Sequence, residues 1–144
     1  MRLLIVEDDT DVRDLLIELC EDEGYDADGA GSVAAAKAAL QEQGYDLVIL
    51  DLWLPDGSGS AVLRELRRVG SAVPVVVCSG RPDGVLRTRM FEAEADAVLE
   101  KPFSCNELIA RVRALLRRPH GGDAALMADQ SAGSLWSSRA GEAG

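Results

Sequence analysis

The stretch Asp46-Leu47-Val48-Ile49-Leu50-Asp51-Leu52-Trp53-Leu54-Pro55-Asp56-Gly57-Ser58-Gly59 decides how the rest of the chain is read. Leu47 to Leu50 is an unbroken apolar run of strand length, which suits a strand covered on both faces in a parallel sheet. It stops at a carboxylate, Asp51, and passes into a Pro-Asp-Gly turn. Working outward, Leu3-Leu4-Ile5-Val6 and Val75-Val76-Val77-Cys78 are runs of the same kind, ending in Glu7-Asp8-Asp9 and in Ser79-Gly80. Tyr25 to Ala30 alternates with Asp26 and Asp28, as an edge strand would. Ala97-Val98-Leu99 is a short strand that runs into Glu100-Lys101-Pro102.

Segments of helical period separate these runs. Val12, Leu15, Leu16 and Leu19 recur at helix spacing until Gly24, and Ser32 N-caps an Ala-rich helix from Val33 to Gln43. Further helices are expected from about Ser60 to Val69 and from Asp83 to Glu94, and Ser104 with Glu107 forms a capping box for a last helix ending near Arg118. Five β-α units in a row predict an α/β fold: a doubly wound, five-stranded parallel sheet with helices on both faces. The functional crevice of such a sheet lies outside the carboxyl ends of its strands. Glu7, Asp8, Asp51, Ser79 and Lys101 are therefore expected to converge.

The 144 residues carry 25 acidic and 15 basic side chains, a net charge of −10, and 47% are hydrophobic, which describes one folded domain with an anionic surface. The acidity belongs to the first half: residues 1–60 hold 15 acids and 3 bases, whereas residues 61–118 hold 7 and 11. This balance speaks against nucleic acid bound by phosphate neutralisation, which needs clustered Lys and Arg. No apolar run approaches the roughly 18–20 residues of a membrane span, and no signal-peptide pattern follows Met1, so a cytoplasmic protein away from the membrane is expected. Cys20, Cys78 and Cys105 form no CxxC pair and fit reduced structural thiols; with the single His120 they make no zinc set. After Pro119 the composition turns to Gly, Ala and Ser, so residues 1–118 are expected to fold and 119–144, including Trp136, to form a flexible tail.

Three carboxylates brought to one crevice repel one another and demand positive charge. Lys101 supplies one charge, and a hard divalent cation with oxygen ligands, Mg²⁺ in a cell, would supply the rest. A carboxylate beside a hydroxyl, a lysine and such an ion is equipped to accept a phosphoryl group, with Asp51 as the nucleophile.

Leu4-Ile5-Val6-Glu7-Asp8-Asp9, the Asp46–Gly59 block, Val75 to Gly80 and Lys101-Pro102-Phe103 together resemble the signature blocks of bacterial response-regulator (CheY-like) receiver domains over about Met1 to Arg118. The resemblance implies a flavodoxin-like sheet of strand order 2-1-3-4-5. It implies Asp51 as phosphoacceptor, Asp8 as a direct Mg²⁺ ligand, Glu7 as a ligand through water and the Trp53 backbone carbonyl as a further ligand. Ser79 and Lys101 would contact the phosphoryl group, and the Lys101-Pro102 bond would be cis. The donor would be a histidine kinase or a histidine phosphotransfer protein. The family's switch aromatic, three residues before the lysine, is Val98 here, so phosphorylation without aromatic rotation is expected.

The last helix is similar to that of winged-helix regulators, in which the face of helix four, strand five and helix five forms a dimer; Arg87, Asp96, Glu107 and Arg111 would serve that face. Three outputs follow: a stand-alone receiver, the receiver fragment of a winged-helix DNA-binding regulator, or a degenerate receiver acting as a constitutive binding module. An aspartyl-phosphate phosphatase would need a second Asp two residues after the nucleophile, where this chain has Trp53, so no enzyme beyond self-catalysed phosphoryl transfer and slow autodephosphorylation is expected. Gly29-Ala30-Gly31-Ser32-Val33-Ala34 matches the dinucleotide pattern G-x-G-x-x-A, but the strand before it is polar-alternating rather than buried and 144 residues leave no room for a substrate domain, so a dinucleotide site is not expected.

Overall fold

The computed structural model describes residues 1–80 and 84–117. Strands β1 (Arg2–Val6), β2 (Asp26–Ala30), β3 (Leu47–Asp51), β6 (Val75–Ser79) and β7 (Ala97–Glu100) form one parallel sheet in the order β2-β1-β3-β6-β7. Helices α1 (Thr10–Asp22), α2 (Val33–Glu42), α3 (Ser60–Arg68), α4 (Gly84–Glu92) and α5 (Cys105–Arg117) alternate with them along the chain. The sheet is the predicted 2-1-3-4-5 order once a small antiparallel hairpin, β4 (Trp53–Leu54) with β5 (Gly57–Ser58), is set aside. That hairpin lies where only a turn was expected, because a two-residue ladder leaves no periodicity to detect.

Burial explains the strand patterns. Every residue of β3 and β6 is buried, and so are Leu3 to Val6, as a sheet covered on both faces requires. β2, with its aspartates outward, is the edge its alternation announced. Register places Val6, Leu50, Val77 and Val98 side by side across four strands. One step further along each strand, the chain leaves the apolar layer at Glu7, at Asp51 and, beyond Cys78, at Ser79.

The helix starts follow the sequence cues. Asp9 Oδ1 accepts the Val12 N–H at 3.1 Å to cap α1, Ser32 Oγ accepts the Ala35 N–H at 3.0 Å to cap α2, and Ser104 Oγ accepts the Glu107 N–H at 3.0 Å ahead of α5. α4 is observed from Gly84; Asp83, proposed as its first residue, lies outside the described residues, as do Arg118 and the 119–144 tail with His120 and Trp136. No helix among the described residues is long and apolar enough to cross a membrane.

At the amino ends of β6 and β7 a single guanidinium ties three segments together. Arg67 donates to the carbonyls of Ser71 (3.0 Å), Val73 (2.8 Å) and Glu94 (2.8 and 3.1 Å) and pairs with Asp96 at 3.2 Å. Asp96 also accepts the Val75 N–H at 2.8 Å. This end of the sheet is thereby sealed by directed bonds, and chemistry is left to the other.

Two of the three thiols follow the structural expectation and one does not. Cys20 and Cys78 are buried, and burial pushes their thiols up to about 11 and about 12 respectively, whereas Cys105 is exposed at the start of α5. Labelling the folded protein at pH 8 with a thiol reagent should modify the exposed Cys105 first and the other two at least ~100-fold more slowly, since they are shielded from the reagent and their raised pKa leaves little of the reactive thiolate. Peptide mass mapping over time checks this. Equal labelling of all three would contradict the burial.

Candidate functional site

The carboxyl ends of β1, β3 and β7 deliver Glu7, Asp51 and Lys101 to one place although they are distant in sequence. Lys101 Nζ donates to Glu7 Oε1 at 2.8 Å and lies 3.3 Å from Asp51 Oδ2. Glu7 and Asp51 are only 4% and 6% exposed, so these are partly desolvated charges rather than surface pairs. Asp8, exposed, completes a cluster in which one carboxylate oxygen from each of Glu7, Asp8 and Asp51 lies within 4.8 Å of the others.

Each buried carboxylate is held from several sides. Glu7 Oε2 accepts the Asp9 N–H at 3.1 Å, the Glu7 N–H donates to the Ala30 carbonyl at 2.9 Å, and the Glu7 carbonyl accepts from Arg13 Nη1 at 2.8 Å. Asp51 Oδ1 accepts the Trp53 N–H at 3.2 Å, which ties the start of the hairpin to the carboxylate. Lys101 is fixed through its backbone as well, its N–H donating to the Ser79 carbonyl at 2.7 Å, and the Lys101-Pro102 peptide is cis as expected. Ser79, 1% exposed, closes β6 one step beyond the rung of Asp51 and Cys78.

Burial lifts the Glu7 carboxyl above the ordinary carboxylate range; the bonds from Lys101 and from the Asp9 N–H pull against it, and the Asp51 charge adds to it. For Lys101, burial disfavours the ammonium, but the Glu7 hydrogen bond and the charges of Asp51 and Glu7 prevail and hold its pKa above the ordinary lysine value. Among the described residues the cluster sets three carboxylates against one ammonium, a net negative charge that favours an added cation. The donor set is all oxygen, as a hard divalent ion such as Mg²⁺ prefers. Asp8 is open to solvent, while both Glu7 oxygens already accept hydrogen bonds, which suits Asp8 to direct ligation and Glu7 to a role through water.

The expected site residues Glu7, Asp8, Asp51 and Lys101 are brought together, with Ser79 at the adjoining strand end and Trp53 joined to Asp51 by its N–H. Trp53's indole is largely exposed. The four residues offered for a dimer face divide: Arg87, Glu107 and Arg111 line an open groove of about 460 Å³ with Val98, whereas Asp96 sits at the opposite end of β7 in the bonds from Arg67 and Val75. Val98 is buried and its carbonyl receives Arg87 Nη1 at 3.5 Å.

Three contributors escaped the sequence reading. Arg13 was one residue of an amphipathic helix with nothing to mark it. Asp56, in sequence an ordinary turn residue, reaches across to accept the Val33 and Ala34 N–H groups at 2.8 and 3.0 Å, bonds that hold its carboxyl below the usual range. Gly59, whose N–H donates to the Leu52 carbonyl at 2.9 Å, presses its α-carbon against the Asp51 carbonyl so closely that a β-carbon there would overlap it. Only glycine's lack of a side chain permits that approach.

A family model described as the response regulator receiver domain matches residues 3–113. Among curated proteins, the transcriptional regulatory protein PmrA of Pectobacterium parmentieri is 43% identical over 121 residues, covering 84% of this chain and 54% of PmrA. The sensory transduction protein RegX3 of Mycolicibacterium smegmatis is 41% identical over 121 residues, covering 84% of this chain and 53% of RegX3. The chain spans about half the length of these relatives. Among solved structures, the non-phosphorylated HemR receiver domain from Leptospira biflexa superposes with a TM-score of 0.78 at 30% identity, over 83% of this chain and 98% of that one. The Francisella response regulator 1452 receiver domain gives 0.77 at 27%, over 81% and 96%.

Two measurements test this geometry. Gly59→Ala should lower stability by about 1–3 kcal/mol in urea unfolding, the range for overpacking a filled site; an unchanged midpoint would show that Asp51 moves aside freely. The second concerns pH in the presence of a chelator. Because the folded-state pKa of Glu7 is raised, its stabilising share is complete below the unfolded value of about 4.3 and is lost as pH rises through the folded value. The urea midpoint of the parent protein should therefore fall relative to Glu7→Gln on going from pH 4 to 7. A constant difference between the two would mean that Glu7 titrates as in the unfolded chain.

Proposed function

The chain belongs to the response regulator receiver domain family, and from that premise we propose that it is a Mg²⁺-dependent phosphoacceptor switch, charged on Asp51 by a histidine kinase or histidine phosphotransfer protein in the cytoplasm. The observation that carries this reading is the Lys101 ammonium shared between Glu7 at 2.8 Å and Asp51 at 3.3 Å, beside the exposed Asp8.

In the proposed reaction an Asp51 carboxylate oxygen attacks the phosphorus of a phosphohistidine. The O–P bond forms as the P–N bond breaks, and the imidazole nitrogen leaves with the bonding pair. Lys101 neutralises charge on the phosphoryl oxygens in transit, and the Ser79 hydroxyl donates to one of them afterwards. Glu7, Asp8, Asp51 and the Trp53 carbonyl would hold Mg²⁺, whose charge compensates the same oxygens. At Trp53 there is no carboxylate to activate water, so the acyl phosphate lacks a proton carrier worth about 10²–10⁴ in rate and persists as a signal rather than turning over. The protein is in this sense a switch and not an enzyme acting on outside substrates.

The output is a protein contact through the face of α4, β7 and α5. A second reading is favoured by one fact: curated relatives named as transcriptional regulatory proteins are about twice the length of their match to this chain. In that reading the domain is the receiver part of a DNA-binding regulator and pairs with a second copy when phosphorylated. Val98 motivates a third, a receiver that binds its partner irrespective of phosphorylation.

Beryllofluoride with Mg²⁺ should bind saturably and Asp51→Asn should abolish this, as read by calorimetry. Dimerisation on binding, seen by sedimentation, selects the second reading, and no binding at all leaves the third. With Val98 in place of an aromatic, the bound state should show chemical-shift changes around Ser79 and Lys101 but little at the outer surface of β7. A large shift of Val98 and the whole of β7 would show that a ring is dispensable for the switch.

A further inference from the structure

Arg13 runs from α1 across the end of β2, and the lane it occupies exists because two residues there have no side chain. A β-carbon built on Gly29 would stand 2.9 Å from Arg13 Cδ, and one on Gly31 would stand 2.8 Å from Arg13 Nη1. Neither glycine has a positive φ, so space rather than backbone conformation is what glycine provides at these positions. The G-x-G pattern that resembled a dinucleotide fingerprint is therefore the seat of the protein's own guanidinium. From this seat Nη1 donates to the Glu7 carbonyl at 2.8 Å, the oxygen of the peptide that joins Glu7 to Asp8.

The geometry points to Arg13 as a positioning residue for the acidic cluster: it fixes the Glu7–Asp8 peptide, and with it the angle at which the two carboxylates meet a shared cation. This rests on the reading that Glu7, Asp8 and Asp51 hold Mg²⁺. Glu7 is otherwise held by its N–H to Ala30 and by its side chain, so its carbonyl bond is the contact that stops the peptide from rotating between those anchors. The guanidinium also brings a positive charge close to the cluster. Charge and position therefore oppose each other. Removing a cation near three carboxylates would by electrostatics alone tighten Mg²⁺ binding, whereas releasing the peptide would weaken it.

The opposition makes the inference testable by the sign of one quantity. Mg²⁺ alone is titrated calorimetrically into the full chain and into Arg13→Ala, Arg13→Lys and Gly31→Ala, each first checked for a cooperative thermal transition. Arg13→Ala should bind about 10-fold more weakly, the loss typical of a residue that orients a ligand. Gly31→Ala keeps every charge and only displaces the guanidinium; it should weaken binding in the same direction and stands in should Arg13→Ala fail to fold. Arg13→Lys, with charge but no fork, should fall between. With a small phosphoramidate as donor, the Mg²⁺ concentration for half-maximal phosphorylation should shift by the same factor, while the rate at saturating Mg²⁺ stays within about twofold. Unchanged or tighter Mg²⁺ binding in Arg13→Ala, or unchanged binding in Gly31→Ala, overturns the role of Arg13. Absence of saturable Mg²⁺ binding by the parent protein instead overturns the cluster reading, and this proposal with it.

Discussion

The contact on which the rest depends is the ammonium of Lys101 held between two nearly buried carboxylates. Bringing Glu7 and Asp51 out of water side by side is unfavourable unless a cation lies between them, and an unpaired buried charge would be costlier than the pair. Only strands that run the same way can meet this demand here, because a parallel sheet collects all its carboxyl ends at one edge. The doubly wound order does more than bury apolar surface, since it sets β1, β3 and β6 next to one another and brings β7 within reach of a long lysine side chain. The bond from the Lys101 N–H to the Ser79 carbonyl fixes the root of that side chain from the strand next door.

The two ends of the sheet are built on opposite rules. At the amino ends of β6 and β7 Arg67 and Asp96 bind backbone carbonyls and an N–H group as well as one another. At the carboxyl ends, among the described residues, the three carboxylates of the cluster outnumber the one ammonium they share. The uneven distribution of acids along the chain has a structural counterpart here: the first sixty residues supply all three carboxylates of the cluster, and the later segment supplies the lysine that answers them. Excess charge at one end is stable only because neighbouring dipoles and cations are fixed in place by the backbone.

What the sequence disclosed divides along physical lines. Strands such as Leu47–Leu50 and Val75–Cys78 were legible because a run buried on both faces has a composition no loop can carry, and the strand-end residues followed from topology. The helix caps at Ser32 and Ser104 were legible because their bonds are local. The acidic run Glu7-Asp8-Asp9 shows the limit. Its composition fitted both a helix cap and a metal site, and the structure divides it between the two: Asp9 caps α1, while Glu7 and Asp8 face the cluster. Arg13, Asp56 and Gly59 were not legible as site residues: Asp56 acts on a helix start more than twenty residues away, Gly59 acts through the absence of a side chain, and Arg13 reaches Glu7 only because Gly29 and Gly31, far along the chain, leave it room. The exposure of Cys105 escaped for a similar reason: its neighbours in space cannot be inferred from its neighbours in the chain.

The hairpin after Asp51 carries a consequence for how the chain can vary. Its ends are joined by the bond from Gly59 to Leu52, its tip is anchored to α2 by Asp56, and Gly59 is wedged against Asp51. A segment pinned at base and tip has one permitted length. An inserted or deleted residue between Leu52 and Gly59 must break the closure or pull Asp56 from its helix, and either change moves the nucleophile's own peptide. Surface loops ordinarily absorb such changes in length without penalty to the fold. This one behaves as part of the sheet, so its length should be as invariant as that of a core strand.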